Sequence, residues 1–153
     1  MATAFQKDME KCAQARATNL PVSPKVAYEI GNAVRGKPVE KVISFLESVA
    51  NMKAAVPYKR FNSDVGHRKG PMGSGRYPAK AAKRFLSLIK NAVANARDKG
   101  LDDESLVLAH VCANKGNGQW RFGRQRRRQM KATHLEVVVE EVKAQKEQKK
   151  QKK

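Results

Sequence analysis

The stretch that decides the fold is Leu106-Val-Leu-Ala-His-Val-Cys-Ala-Asn114, followed after a connector by Thr133-His-Leu-Glu-Val-Val-Val-Glu-Glu-Val142. Both runs are rich in apolar and β-branched residues, which is typical of β-strands. The connector, residues 115–132, is basic, contains glycines and has no Asp or Glu, so the segment predicts a long β-hairpin with a basic tip. A loop of this length without a helical pattern is usually functional. We expect a polyanion to neutralise its charges.

The composition narrows the class of protein. The chain has 153 residues, and its 32 Lys and Arg against 14 Asp and Glu give a formal net charge of +18. An excess of this size indicates a nucleic acid or an anionic membrane surface as partner. No window contains the roughly 18 to 20 apolar residues of a membrane span, and the Lys-rich end lacks the apolar half of a membrane anchor. Residues 1–10 have no apolar stretch typical of a signal peptide, so we expect a cytosolic protein.

Three helices are predicted ahead of the hairpin. Ser23 and Pro24 form a helix start, and Gly36 lies where a left-handed residue ends a helix. Apolar residues at helical spacing continue this pattern twice more along the chain. The expected helices run from Pro24 to just before Gly36, from Pro38 to about Met52, and from Pro78 to about Lys99. A short edge strand is expected over residues 13–22, with Pro21 at its exit.

The predicted fold is therefore of the α+β class, with three helices packed on a small antiparallel sheet and a long protruding β-hairpin. In the second hairpin strand, Leu135, Val137 and Val139 should lie on the helices. The alternating residues His134, Glu136, Val138 and Glu140 should face solvent or a partner. The expected divisions are an N-terminal arm and edge strand (1–22), a globular helical part with a basic loop at 53–77 (23–105), the hairpin (106–142) and a basic tail (143–153).

Two basic segments carry the candidate RNA-binding residues. The guanidinium of arginine can bridge phosphate oxygens, and aromatic side chains among arginines can stack on unpaired bases. Gly116, Gly118 and Gly123 would allow the backbone to approach phosphates closely. The alternatives are a solvated, flexible tip and a plain surface loop at 58–77. The residues expected to bind RNA are Lys59, Arg60, His67, Arg68, Lys69, Arg76, Tyr77, Lys80, Lys115, Trp120, Arg121, Phe122, Arg124, Arg126, Arg127, Arg128 and Lys131.

No pattern in the chain predicts catalysis, a metal or a cofactor. Cys12 and Cys112 form no CxxC pair, and free thiols in a reducing compartment are expected. The GxxxxGK[ST] phosphate loop is absent. The three histidines have no neighbours in the sequence that would complete a catalytic or zinc pattern, so we expect no enzyme.

The order of short motifs resembles a known family, the universal large-subunit ribosomal protein numbered twenty-two in bacteria and seventeen in eukaryotes. A basic insertion before the third helix is similar to the archaeal and eukaryotic branch. The matching stretches are Ser23-Pro24-Lys25, Val34-Arg35-Gly36-Lys37, Val56-Pro57-Tyr58-Lys59-Arg60, Gly66-His67-Arg68-Lys69-Gly70, Gly75-Arg76-Tyr77-Pro78, Asn91-Ala92-Val93-Ala94-Asn95-Ala96, Ala113-Asn114-Lys115-Gly116 and the strand from Thr133 to Glu141.

The resemblance implies a structural constituent of the cytoplasmic large ribosomal subunit that binds large-subunit rRNA across several domains. Neighbouring ribosomal proteins would be further partners. Its hairpin would help to line the exit tunnel, with the nascent peptide near the tip. The family tip usually runs through Pro-Arg-Ala-x-Gly-Arg, whereas residues 121–128 here contain no proline and the tip is a few residues shorter.

Two other functions follow from different readings of the same residues. A general basic nucleic-acid-binding protein, either an RNA chaperone or chromatin-like, would bind duplex DNA with similar affinity. An RNA-processing enzyme would use His67 or His110 and needs a catalytic cluster. A long free ribbon with a polar tip is not stable by itself, so we expect its distal half to order only on RNA.

Overall fold

The computed structural model describes residues 11–142, so the predictions for residues 1–10 and for the tail at 143–153 lie outside the described residues. Two short 3-10 turns lie at Asp103–Ser105 and Gly123–Gln125. The remaining elements are β1 (Cys12–Leu20), α1 (Pro24–Val34), α2 (Val39–Ala50), β2 (Val56–Pro57), β3 (Gly75–Arg76), α3 (Ala79–Asp98), β4 (Leu106–Lys115) and β5 (Thr133–Glu141). The predicted α+β class is confirmed.

The helix ends follow the local sequence signals. Ser23 takes the N-cap position of α1 with an extended backbone, although its side chain makes no capping hydrogen bond. Gly36 and Gly100 adopt a φ of +74° just beyond α1 and α3, a conformation that glycine reaches without strain. The second and third helices each begin one residue after the predicted proline, because Pro38 and Pro78 are N-cap residues.

The main sheet is antiparallel, with the strand order β1-β5-β4. One face packs on the helices, where Val137 of β5 lies between Ala15 of β1 and Val111 of β4. The predicted inward set is confirmed, since Leu135, Val137 and Val139 are fully buried. The helices complete this core with Ile30, Val34, Val42, Leu46, Phe85 and Ile89.

The opposite face of β5 differs from the expectation. Glu136 and Val138 were expected to face solvent or a partner, but they are only 6% and 3% exposed and so do not face solvent. The physical reason is that β5 is the central strand and has side chains on both flanks. Gln14 and His110 flank Val138, and Arg16 and Cys112 flank Glu136.

Other parts of the body form hydrogen bonds with both edge strands of the sheet. On the β4 side, Gly36 N–H donates to Leu108 O at 2.8 Å and Leu108 N–H donates to Lys37 O at 3.0 Å. On the β1 side, the side chains of Asn95 and Lys99 donate to strand carbonyls at 2.9 and 2.8 Å. These contacts use groups that an exposed edge would offer to another chain. Each edge of the sheet is therefore partly covered by the body, and the hairpin tip extends beyond it.

Candidate nucleic-acid interface

The hairpin stays paired well beyond the two strands. Past the strand ends, Gly116 N–H donates to Ala132 O at 2.9 Å, and Met130 N–H donates to Gln119 O at 2.8 Å. Closer to the tip, Arg121 N–H donates to Arg128 O at 2.9 Å. Residues 116–132, which we call the arm, thus continue the sheet as a two-stranded ribbon.

Gly118 has a structural role within the arm. A Cβ atom built at this position would overlap the carbonyl oxygen of Met130 on the opposite side of the ribbon. The Gly118 carbonyl also accepts a hydrogen bond of 2.7 Å from the side chain of Gln129. The ribbon therefore needs glycine at this point for its own pairing, whereas we had expected the glycine to serve close approach of the backbone to a phosphate.

The arm presents its charge to solvent. Every residue from 119 to 131 is exposed. The chain contains no acidic residue between Glu104 and Glu136, so neighbours in the sequence do not neutralise the arm. Trp120 and Phe122 are 66% and 93% exposed, and their spacing along an extended chain places them on one side of the ribbon. The arrangement offers cations together with flat aromatic surfaces, which are the groups that bind single-stranded nucleic acid.

Residues 58–77, which we call the basic loop, are the larger part of the loop expected at 53–77 and form hydrogen bonds among themselves. Its ends are held by the pairing of β2 with β3, where Val56 faces Arg76. Inside it, Gly75 N–H donates to Gly66 O at 3.2 Å, and Arg68 N–H donates to Gly73 O at 3.1 Å. The basic loop is thus a small folded unit with its cations at the rim.

Cations of the basic loop lie over aromatic rings. The guanidinium of Arg68 is 5.4 Å from the centroid of Tyr77, and that of Arg76 is 6.0 Å from the centroid of Tyr58. These distances are within the range of cation–π attraction. Burial raises the pKa of the Tyr58 phenol, and Arg76 opposes this shift. The rings restrain the arginines without neutralising their charge.

The start of the basic loop is held by a buried acid on α1 that the sequence analysis did not identify. Glu29 of α1 is fully buried, and its carboxylate accepts three backbone hydrogen bonds. Lys59, Arg60 and Phe61 donate these bonds at 3.1, 2.8 and 2.7 Å. The sequence does contain a signal for this burial, because Glu29 is three residues after Val26 and four before Ala33, and both pack against the core from the same face of the helix.

Aromatic and basic residues surround this contact. The ring of Tyr28 meets the ring of Phe61 edge to face, with centroids 5.5 Å apart. The Arg60 guanidinium is 5.2 Å from the Tyr28 centroid and 5.5 Å from that of Phe61, and Lys25 Nζ is 5.5 Å from the Phe61 centroid. Hydrogen bonding with Asn32 and then with Arg60 lowers the pKa of Tyr28.

The candidate residues form two groups. Lys59, Arg60, His67, Arg68, Lys69, Arg76, Tyr77 and Lys80 lie on the basic loop and the start of α3, and the others lie at the end of β4 and on the arm. Within residues 11–142, no hydrogen bond or ring contact joins the two groups. Pro21 lies between them, since it lines one groove with Tyr77 and Lys80 and another with Gln119 and Met130.

The histidines are distributed over different elements. His67 lies in the basic loop, His110 on β4, and His134 on β5, where its Nδ1 accepts a hydrogen bond of 3.2 Å from Asn19 N–H. Among the described residues, no group of three or more His, Cys, Asp or Glu is placed to hold a metal ion. None of the described helices is both long enough and apolar enough to cross a membrane.

The described residues form an α+β body that carries an exposed β-arm without acidic residues, a surface whose charge is complementary to a polyanion. Comparison with known proteins identifies the family. Residues 15–140 match the family described as ribosomal protein L22p/L17e. The chain belongs to this family of ribosomal proteins.

Archaeal relatives resemble the chain over nearly its whole length. It is 42% identical to the large ribosomal subunit protein uL22 of Ignicoccus hospitalis, over 90% of this chain and 92% of the relative. The uL22 proteins of Methanocaldococcus jannaschii and Methanosphaera stadtmanae are 41% and 44% identical. These alignments cover 90% and 86% of this chain, and 92% and 90% of the relatives. The chain is of the archaeal type, as the basic insertion before the third helix predicted.

Proposed function

We propose that this chain is a structural constituent of the large ribosomal subunit, located in the cytoplasm, which binds large-subunit rRNA through the arm and the basic loop. The observation that carries the proposal is the arm, because it extends beyond the body, contains six Lys and Arg and has no acid. The family membership and the names of the archaeal relatives support the same partner.

The proposed mechanism is the neutralisation of phosphates where rRNA helices meet. Arginines of the arm would bridge phosphate oxygens of different strands, and Trp120 and Phe122 would stack on unpaired bases. The basic loop would contact a separate part of the RNA, since it lies apart from the arm. The protein would thereby stabilise the packing of rRNA domains during assembly.

The finer assignments are also proposals. The resemblance to the family supports an arm that reaches inward and helps to line the nascent-peptide exit tunnel. The body would then remain near the subunit surface, next to other ribosomal proteins. The lysine-rich segment at 143–153 would add basic contacts to RNA.

A salt titration of RNA binding tests the proposal. The full chain and its Arg126→Ala, Arg127→Ala, Arg128→Ala variant would be titrated against large-subunit rRNA at several salt concentrations. The slope of log affinity against log salt should fall by about two to three units in the variant, since each lost phosphate contact removes about 0.7 to 0.9. A matched variant, Lys41→Ala, Lys83→Ala, Lys90→Ala, removes three cations from the helices and should change the slope less.

Duplex DNA of the same length distinguishes the alternative. A general basic nucleic-acid-binding protein would bind this DNA as tightly as it binds rRNA. The ribosomal proposal requires a clear preference for rRNA at the same salt concentration. Equal affinity for both, or an arm variant that binds rRNA like the parent chain, would overturn the proposal.

A further inference from the structure

The geometry points to a second, preformed phosphate-binding site on the body, built by Lys25, Tyr28, Arg60 and Phe61 and positioned by Glu29. We call the first four residues the aromatic platform. The inference rests on the proposed function and deepens it. It names a phosphodiester as the ligand, adds Lys25, Tyr28 and Phe61 to the binding residues, and assigns Glu29 as a positioning residue.

The buried carboxylate of Glu29 holds a segment of the basic loop in place. Burial of a charged group is unfavourable unless hydrogen bonds replace its hydration. Here three consecutive backbone N–H groups do so, and in return the carboxylate fixes the course of residues 59–61. Removal of the carboxylate would leave these three N–H groups without their acceptor. The specific effect of Glu29 is to hold this segment of chain against α1.

The segment that Glu29 holds places cations beside aromatic rings. With its backbone N–H bound to Glu29, Arg60 has an exposed side chain whose guanidinium lies over both Tyr28 and Phe61. Lys25, also exposed, approaches the Phe61 ring from α1. Aromatic rings restrain cations but leave their N–H groups available to a further acceptor. Restraint before binding reduces the side-chain entropy that ordering a free Arg or Lys would cost.

The charges of these side chains indicate the chemical class of the ligand. Two cations each lie 5.5 Å from the centroid of the Phe61 ring, and their N–H groups can donate to an anion with several oxygens. The hydrogen bonds of the Glu29 carboxylate come from three backbone N–H groups, and the carboxylate is fully buried. It therefore leaves the side-chain N–H groups of the two cations to the ligand. A phosphodiester of folded RNA is the anion that the proposed function supplies.

The test compares two substitutions that change the net charge equally. Glu29→Gln and Glu40→Gln each remove one negative charge, and Glu40 is exposed at the start of α2. If only net charge mattered, both variants would bind RNA slightly more tightly. The platform predicts that Glu29→Gln binds large-subunit rRNA about tenfold more weakly, with a salt slope lower by about one. Glu40→Gln should bind at least as tightly as the parent chain.

A double-mutant cycle separates positioning from general destabilisation. If Glu29 acts through Arg60, Arg60→Ala should weaken binding as Glu29→Gln does, and the combined variant should be little weaker than either one. Phe61→Leu keeps the backbone contact with Glu29 but removes the ring, so it should also weaken binding. This variant tests the platform even if Glu29→Gln does not fold, which thermal unfolding would reveal.

The possible outcomes have distinct meanings. Equal rRNA affinity of the Glu29→Gln and Glu40→Gln variants, or a Phe61→Leu variant that binds like the parent chain, would overturn the platform. Fully additive effects of Glu29→Gln and Arg60→Ala would overturn the positioning role. If these results occurred while the triple arginine variant of the arm still bound weakly, the proposed function would stand and only this inference would fail.

Discussion

The carboxylate of Glu29 accepts a hydrogen bond of 2.7 Å from the backbone N–H of Phe61, which lies 32 residues further along the chain. This contact joins the first helix to the start of the basic loop. It places one of the 14 acidic residues of a strongly basic chain inside the fold, where its carboxylate holds residues 59–61 against α1.

Removal of this carboxylate should destabilise the fold. Glu29→Ala leaves three backbone N–H groups without their acceptor, and hydrogen bonds to a charged group contribute about 1.5 to 3 kcal/mol each. We expect the free energy of unfolding to fall by about 3 kcal/mol, since water can satisfy part of the segment. Urea unfolding measures this value. Glu40→Ala is the control and should change it by less than about 0.5 kcal/mol.

The arm should tolerate no side chain at Gly118. Gly118→Ala would force the chain away from the Met130 carbonyl, at a local cost of about 1 to 3 kcal/mol. Gly73→Ala is a matched control, because a Cβ there meets no atom within 4 Å. Limited proteolysis should cleave the Gly118→Ala arm faster than the parent arm in the RNA complex. Identical cleavage of the parent and the Gly118→Ala variant would show that this pairing does not hold the arm.

The arm of the free protein should exchange its amide hydrogens quickly. Its residues are almost all exposed, and a two-stranded ribbon without a packed face is marginally stable in water. Hydrogen exchange should therefore show little protection across residues 116–131 without RNA and strong protection with it. Slow exchange of these amides in the free protein would contradict the idea that RNA orders the arm.

Tyr58 should make stability fall at high pH. Since burial raises the pKa of its phenol, the folded state keeps the proton where the unfolded chain has lost it. This contribution is complete below about pH 10, the ordinary value for tyrosine, and is lost as the pH rises through the folded-state pKa. Tyr58→Phe should flatten the pH dependence of unfolding above about pH 10.

The same substitution should not reduce stability at pH 7. The Tyr58 hydroxyl is buried and has no hydrogen-bond partner among the described residues, so its removal should leave the free energy of unfolding unchanged or raise it by about 1 kcal/mol. Tyr28→Phe is the control, because its effect on the pH dependence of unfolding should have the opposite sign. The pKa of Tyr28 is lowered, so its removal should make the high-pH decline steeper. A pH profile of Tyr58→Phe identical to the parent would contradict the assignment.

The sequence predicted those features that depend on local chemistry. Prolines placed the starts of α2 and α3 to within one residue, and Gly36 and Gly100 marked the ends of α1 and α3. The alternation of residues in β5 correctly predicted its buried face. These features follow from backbone geometry and spacing, so a single chain is enough to identify them.

The features that the sequence did not predict depend on distant contacts. Whether Glu136 is buried depends on β5 having a strand on each side, and the role of Glu29 depends on residues 59–61 folding back onto α1. The pairing of β2 with β3 involves only two residues in each strand, which is too short for a periodic pattern. The candidate RNA contacts remain predictions, because charge and exposure indicate a partner without placing it.

The most direct test of the account is the sedimentation of native cell extract through a gradient at high salt, followed by detection of this protein. We expect one copy per large ribosomal subunit, retained because an extended arm embedded in folded RNA resists the screening that releases surface-bound cations. Recovery at the top of the gradient, or with DNA, would contradict it.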